Sequence, residues 1–317
     1  MRTASVAFLV LVLAALCPAP AAAADNGEWS VRPADSAITP RAAFQFPATP
    51  GTTLSDRAVV TNTTDGALTF RLYVADAHNT ERDGGLAVRG IEETQRDVGA
   101  WGKPERDVIT VPARSALTVG ITLRIPSDAS PGDHVGALVA VDERVRPGAG
   151  SHVGVQRGVG ARIYLRIDGQ RQPGVAVEDV RFTAQNPWMP WTGGSKSTVV
   201  YTLHNTGNET LAPVVSVRVG GVYVGGPAER QLTGVPSELL PGRKVRLSAS
   251  WSGAPFAGRG DVTVTATADS LSGSASDRFL EVPWLLVGGL ALVSASGLLM
   301  LRRRRKAVLT ARSADRE

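Results

Sequence analysis

The 317-residue sequence has one cysteine, Cys17, inside an apolar N-terminal run, so the chain beyond residue 24 has none. That excludes a disulfide framework, a cysteine nucleophile and a thiolate metal site. A chain without disulfides must stabilise itself by burying apolar surface, which takes domains of reasonable size. Aromatic residues make up only 5%, which leaves few stacking platforms for single-stranded nucleic acid. The body also lacks an excess of charge. The formal charge of the whole chain is +5, but residues 25–301 hold 26 basic and 27 acidic residues, and the excess lies in the tail beyond residue 301. A near-neutral body has no basic surface to grip phosphate, so nucleic acid is not an expected partner. Catalytic motifs are missing as well. The four histidines, His78, His134, His152 and His204, have no metal-ligand spacing, and no G-x-S-x-G elbow or glycine-rich strand-to-helix loop occurs. The chain reads as a non-enzyme with no cofactor.

What is present starts with export and anchoring. Residues 1–24 have the three parts of a secretory signal: Arg2, an apolar core from Val6 to Leu16, and Ala22-Ala23-Ala24 before Asp25. Leu16 ahead of Cys17 does not suit a lipoprotein signal. Residues 282–301 are twenty uncharged positions, about 30 Å as a helix, which matches a bilayer core. Arg302 to Lys306 follow and predict a cytoplasmic tail, 302–317, with the body outside. No LPxTG-like motif precedes Pro283. The expectation is a single-span cell-membrane protein.

Between the two segments the pattern has period two. Leu117, Val119, Ile121, Leu123 and Ile125 alternate with polar or small residues, as do Val245, Leu247, Ala249 and Trp251, and Val262, Val264, Ala266 and Ala268. Each run places one face on a core and one in water. No sustained helical period interrupts them, so the class is all-β. A weak internal repeat sets the domain count. Asn62-Thr63 is followed by Leu68, as Asn205-Thr206 is by Leu211. Pro112-Ala113-Arg114 opens a strand, as Pro241-Gly242-Arg243 does, and Gly132-Asp133 and Gly260-Asp261 follow as turns. This predicts two tandem immunoglobulin-like β-sandwiches, 28–169 and 174–281, joined near Asp168–Gly174.

Candidate site residues are few. His134 follows Gly132-Asp133 at a strand start and is read there as a turn histidine or a ligand contact. Asn79, Glu81, Asp83 and Gly84 resemble the start of a calcium loop, but the position that needs a closing acid is Gly90, so a solvated hairpin is expected. Trp188 and Trp191, separated by Met189-Pro190, lie on a segment that prolines keep out of a sheet interior. Their indoles either stack on a sugar ring or fill a joint or sheet end. Trp29 and Trp101 are expected as core or sheet-end aromatics.

Several stretches of the first half resemble the peptidoglycan-binding domain of the WxL-interacting protein family, in its actinobacterial-looking branch. They are Trp29-Ser30-Val31-Arg32-Pro33, Val60-Thr61-Asn62 ahead of Phe70-Arg71-Leu72-Tyr73, Ala75-Asp76-Ala77, Val98-Gly99-Ala100-Trp101, Pro131 to Ala137 and Ala161 to Ile167. The order of signal, two β-domains, one span and a basic tail is also similar to that family. The resemblance covers most of the body and weakens after Gly174. It implies a membrane-anchored, extracellular, cell-wall-associated protein that contacts peptidoglycan through its first sandwich, with another surface protein as a second partner. The ligand contacts expected on this reading are Trp101, His134, Trp188 and Trp191. The alternative is a protein–protein scaffold or assembly factor for secreted or surface proteins, in which a sheet edge takes up a client strand.

Overall fold

The computed structural model describes residues 24–35, 41–147, 154–187, 193–225 and 229–314. Residues 1–23 of the signal-like segment, Trp188 and Trp191 lie outside the described residues. The chain divides into two compact units, Met1–His78 with Leu86–Gln172, and Asn79–Gly85 with Pro173–Glu317.

The first unit runs β1 (Ala24–Asp25), β2 (Trp29–Pro33), β3 (Phe44–Ala48), β4 (Thr53–Asn62), β5 (Leu68–Asn79) and β6 (Leu86–Val88). A one-turn helix α1 (Val98–Trp101) leads into β7 (Gly102–Pro104), β8 (Val108–Val111), β9 (Ser115–Arg124) and β10 (Gly132–Asp142). A short ribbon of β11 (Arg146–Pro147) and β12 (Gly154–Val155) precedes β13 (Gly158–Ile167). One sheet has the order β1-β2-β4-β9-β7 and the other β3-β13-β10-β5-β6, with β8 also on β5. β3 lies parallel to β13, whereas β4–β9, β5–β10 and β10–β13 are antiparallel. The period-two runs bury one face as expected: Val119, Ile121, Leu123 and Ile125 are all 4% exposed or less. Trp29, fully buried on β2, has its ring 5.4 Å from Phe70 on β5 and so ties one sheet to the other. Burying such a side chain stabilises the fold by roughly 1.5–3 kcal/mol.

The second unit has β14 (Val175–Gln185), β15 (Lys196–Asn205), β16 (Val214–Val224), β17 (Glu229–Gln231), β18 (Lys244–Ser252), β19 (Ala257–Ala268) and β20 (Leu271–Glu281). Its sheets are β14-β15-β18 and β17-β16-β19-β20. The first, second and fifth strands thus face the fourth, third, sixth and seventh, which is an immunoglobulin-like arrangement. Val199, Tyr201, Leu203, Val245 and Leu247 from one sheet pack with Val215, Val217, Val262 and Val264 from the other. A helix, α2 (Trp284–Ala314), follows β20, and its segment Trp284–Arg302 is long and apolar enough to cross a bilayer.

The internal repeat has a physical cause. Asn62 is 1% exposed; its Nδ2 donates to the carbonyls of Gly66 (2.8 Å), Val111 (3.1 Å) and Pro112 (3.0 Å), and its Oδ1 accepts from Thr64 N (2.9 Å). Asn205, fully buried, donates to Glu209 O (2.6 Å) and Leu239 O (2.9 Å) and accepts from Gly207 N (3.0 Å). Each asparagine closes a turn and pins it to the approach of a later strand. The proline correspondence slips by one. The left-handed residue of each turn is Arg114 (φ 51°) in the first unit and Gly242 (φ 65°) in the second, so Ala113 matches Pro241. Neither Gly-Asp pair is a turn: Gly132-Asp133 opens β10, paired with Ile167 and Arg166, and Gly260-Asp261 lies within β19.

Candidate functional site

Strand β5 carries an inward series, Leu68, Phe70, Leu72 and Val74, that continues into Asp76. A carboxylate at a core-facing position must find donors or lose its solvation without compensation. Asp76, 4% exposed, accepts from the backbone N–H groups of Arg96 (2.6 Å), Asp97 (3.1 Å) and Gly99 (2.7 Å). Gln95 adds a second clamp: its Oε1 accepts from Asp76 N (2.8 Å) and its Nε2 donates to Gly90 O (3.0 Å). The segment before β7 is thereby held against β5 and turned into α1. Side chains are excluded at the contact points. A Cβ on Gly99 would stand 2.7 Å from Asp76 N, and one on Gly136 would stand 2.5 Å from Ala75 O. Three stretches distant in sequence, around Asp76, Gly99 and Gly136, therefore meet in one corner.

Trp101 and His134 are brought together at this corner, with ring centroids 5.0 Å apart and planes at 53°. His134 Nδ1 lies 2.7 Å from Asp97 Oδ1 and Nε2 lies 2.8 Å from Ser130 O. Both partners only accept, so both ring nitrogens donate and the ring is held as imidazolium. Burial alone would lower its pKa, but the hydrogen bond and charge of Asp97 outweigh that and hold it above the ordinary 6.5. With both nitrogens engaged, His134 positions Trp101 and does not itself present a group to a ligand. In the sequence Asp76 stood out only as part of the Ala75-Asp76-Ala77 stretch, without a role, and Gln95 and Asp97 went unnoticed; a carboxylate continuing an apolar inward series was the available signal.

The half-buried Trp101 lines an open cleft of about 850 Å³ on the outer face of the first sheet. Around it stand Arg57, Lys103, Arg124, Thr122 and Glu105, together with Asp56. Arg41 holds Asp56 in a two-point pair at 2.7 and 2.9 Å. Burial would raise the Asp56 pKa, but the Arg41 hydrogen bonds win and keep it below the usual range. The cleft is polar, carries charge of both signs and has one aromatic wall. Among the described residues no group of three or more His, Asp or Glu side chains is placed to hold a metal. The loop around Asn79 is a turn, but Asn79 is buried and not solvated as expected: its Nδ2 donates to Gly84 O (2.8 Å) and Glu238 O (2.7 Å) and its Oδ1 accepts from Leu240 N (2.9 Å), while Asp83 accepts from the Thr80 hydroxyl and from Gly85 N.

The second unit offers a different surface. β18 pairs with β15 over nine positions, Lys244–Ser252 against His204–Lys196, and with no other strand among the described residues. Asn205 N donates to Arg243 O (3.0 Å) and Gly253 N to Ser195 O (2.8 Å), so residues 243 and 253 bond toward β15. By alternation Val245, Leu247, Ala249 and Trp251 do the same. The N–H and C=O groups of Lys244, Arg246, Ser248, Ser250 and Ser252 therefore point to the open side. Arg246 puts a charge on one half of this edge, as exposed edges commonly have, while Lys244 Nζ reaches back across β15 to Glu178 Oε2 at 2.7 Å. The half from Ser248 to Ser252 carries only small side chains outside.

No protein-family model matches the chain, and no curated protein matches it. Among solved structures, it is similar to a chain of the CsuC–CsuE chaperone–tip adhesion subunit pre-assembly complex of Csu pili from Acinetobacter baumannii (10% identity, 76% of this chain and 96% of that one, TM-score 0.36). A complex of the SafA pilin with the SafB chaperone from Salmonella enterica aligns at 12% identity over 75% of this chain and 92% of that one, with a TM-score of 0.32. The class 5 fimbriae chaperone CfaA aligns at 9% identity over 76% of this chain and 96% of that one, with a TM-score of 0.35. Likeness at this level assigns neither function nor partner.

Proposed function

We propose that this chain is a non-catalytic protein-binding module, held at the outer face of a membrane by Trp284–Arg302, that takes up an extended segment of a secreted or surface protein. The observation that carries this reading is the open edge of β18, with five residues turning both backbone groups outward. An added strand gains main-chain hydrogen bonds there whatever its sequence, and side-chain contacts then select among clients. At roughly 0.5–1.5 kcal/mol net per hydrogen bond, a ladder of about four contributes on the order of 2–6 kcal/mol. That corresponds to weak, reversible capture, in keeping with a scaffold or assembly role. Photo-crosslinking from Ser248 and Ser252 on intact cells tests it. A protein adduct of defined mass that survives digestion of the wall is expected, and the absence of any protein adduct from either position would sink the reading.

A second reading is favoured by the Trp101 cleft. An indole wall within a polar cleft of mixed charge suits a wall glycan bearing peptide carboxylates, and the family resemblance of the first half points the same way. In that case the detergent-solubilised full chain pellets with purified sacculi and Trp101→Ala releases it. If the wild-type chain stays in the supernatant, direct wall contact is wrong.

A further inference from the structure

The sheet β17-β16-β19-β20 turns Val215, Val217, Val262, Val264 and Phe279 into the core. Its outer face bears Thr263, Thr265, Ser274 and Ser276 together with an Arg218–Glu229 ion pair along most of its length, and a lone exposed Val214 at the far end. The composition changes at the end where β20 runs toward α2. Val222, Val224 and Leu280 are 83%, 55% and 71% exposed. The register sets Val222, Arg259 and Leu280 side by side in one row, and Gly220, Asp261 and Arg278 in the row behind it. Val224, two residues beyond Val222, shares its face. Single exposed apolar residues need no explanation, but three in adjoining rows with two arginines mark a contact surface.

The covalent chain indicates what this surface meets. Three residues, Glu281, Val282 and Pro283, separate Leu280 from Trp284, and the four steps between them reach at most about 14 Å even when fully extended. Pro283 starts the helix, its carbonyl accepting from Leu286 N (2.9 Å) and Val287 N (3.1 Å). The headgroup zone on each side of a bilayer's hydrocarbon is roughly 5–8 Å thick. The last rows of the sheet are therefore tethered within reach of the headgroups.

We infer that this end of the outer face seats on the outer leaflet of the membrane. Val222, Val224 and Leu280 enter the headgroup–acyl boundary, and Arg259 and Arg278 pair with lipid phosphates. The inference rests on the reading of Trp284–Arg302 as a membrane span. A guanidinium fork suits phosphate oxygens, and its apolar stem lies along neighbouring side chains while the head reaches the polar layer. Asp261, which accepts from the Thr263 hydroxyl at 3.2 Å, is the one carboxylate in the two rows. The short tether to the span, and two arginines against one carboxylate in these rows, favour an anionic lipid surface over a second copy of the same face.

The test uses the full chain with Cys17→Ser in nanodiscs containing phosphatidylglycerol, labelled at single introduced cysteines with an environment-sensitive fluorophore. Shallow nitroxide lipid is expected to quench a label at Val222→Cys, and to leave unchanged one at Ser276→Cys, about 13 Å further along the same face. Deep nitroxide lipid quenching a label at Ser296→Cys reports the span separately. Quenching at 296 without quenching at 222 overturns the inference and leaves the span standing, whereas loss at both removes the span reading itself. Energy transfer between labels at 222 in discs holding two copies, without lipid quenching, assigns the face to a second copy and overturns the inference. Charge reversal at Arg259 and Arg278 together should abolish most of the quenching at 222, and unchanged quenching would exclude phosphate pairing.

Discussion

Replacing Ser250 with proline separates the open edge of β18 from the fold that carries it. The Ser250 N–H faces away from β15, so proline removes no ladder bond within the sheet. An edge strand tolerates proline on its solvent side, and the residue before it, Ala249, is already extended. What the free chain loses is the exposed contact between the Ser250 and Thr198 hydroxyls at 2.9 Å, worth at most about 1 kcal/mol. What a bound strand loses is one ladder hydrogen bond, plus the close approach that the ring obstructs, roughly 1–3 kcal/mol in all. That is about a 5- to 150-fold weaker Kd for a client captured by crosslinking. Thermal melting should move by only a few degrees, and Ser250→Ala, which keeps the N–H, should bind like wild type. Ala249→Pro is the opposite control, because its N–H does bond β15, and losing that ladder bond should lower the melting of the unit clearly more than Ser250→Pro does. Client affinity unchanged by Ser250→Pro, or lost equally in Ser250→Ala, would refute the reasoning.

Two further outcomes follow from the same geometry. His134 has its folded pKa raised above the unfolded value near 6.5, so its stabilising contact is complete below that pH and is lost as pH rises through the folded pKa. An NMR titration should place the His134 pKa above 6.5, with Trp101 emission changing over the same interval; a pKa below 6.5 contradicts the imidazolium assignment. Asn62→Ala and Asn205→Ala each leave buried carbonyls without donors, at about 2–4 kcal/mol, or roughly 5–15 °C in the melting of the affected unit. Calorimetry of the full chain should show each variant shifting a transition downward, and a shift of a degree or less would mean that the asparagines are not structural.

The strands were legible because a two-sheet core imposes period two on every segment that lines it, and Val119 to Ile125 or Val262 to Ala268 carry little else. The repeat at Asn62 and Asn205 was legible too, because a buried carboxamide that closes a turn tolerates no substitute of other shape. Its proline flank was misaligned, since the shared element is a left-handed residue, Arg114 or Gly242, and not the proline. Gly260-Asp261 looked like a turn on composition, whereas the close approach of Gly220 O, 2.0 Å from where a Cβ on Gly260 would stand, is what requires glycine there. Trp101 and His134 were picked out singly, but their pairing needs α1 to be folded back onto β5, a contact that depends on Asp76 and has no local pattern. The edge of β18 is the part a sequence hides best. Whether a strand is edge or interior depends on the order of strands in the sheet, and the alternation of Val245 to Trp251 is the same in both cases.

The central claim is that β18 offers its outer backbone groups to a client strand, and residue-resolved amide hydrogen exchange on the full chain tests it most directly. In the free chain the amides of Val245, Leu247, Ala249 and Trp251 should be protected and those of Arg246, Ser248, Ser250 and Ser252 should exchange fast. On addition of the crosslinked client's segment the fast set should become protected while the slow set is unchanged. Protection of both sets in the free chain, or a fast set that stays fast with the client bound, would contradict the account.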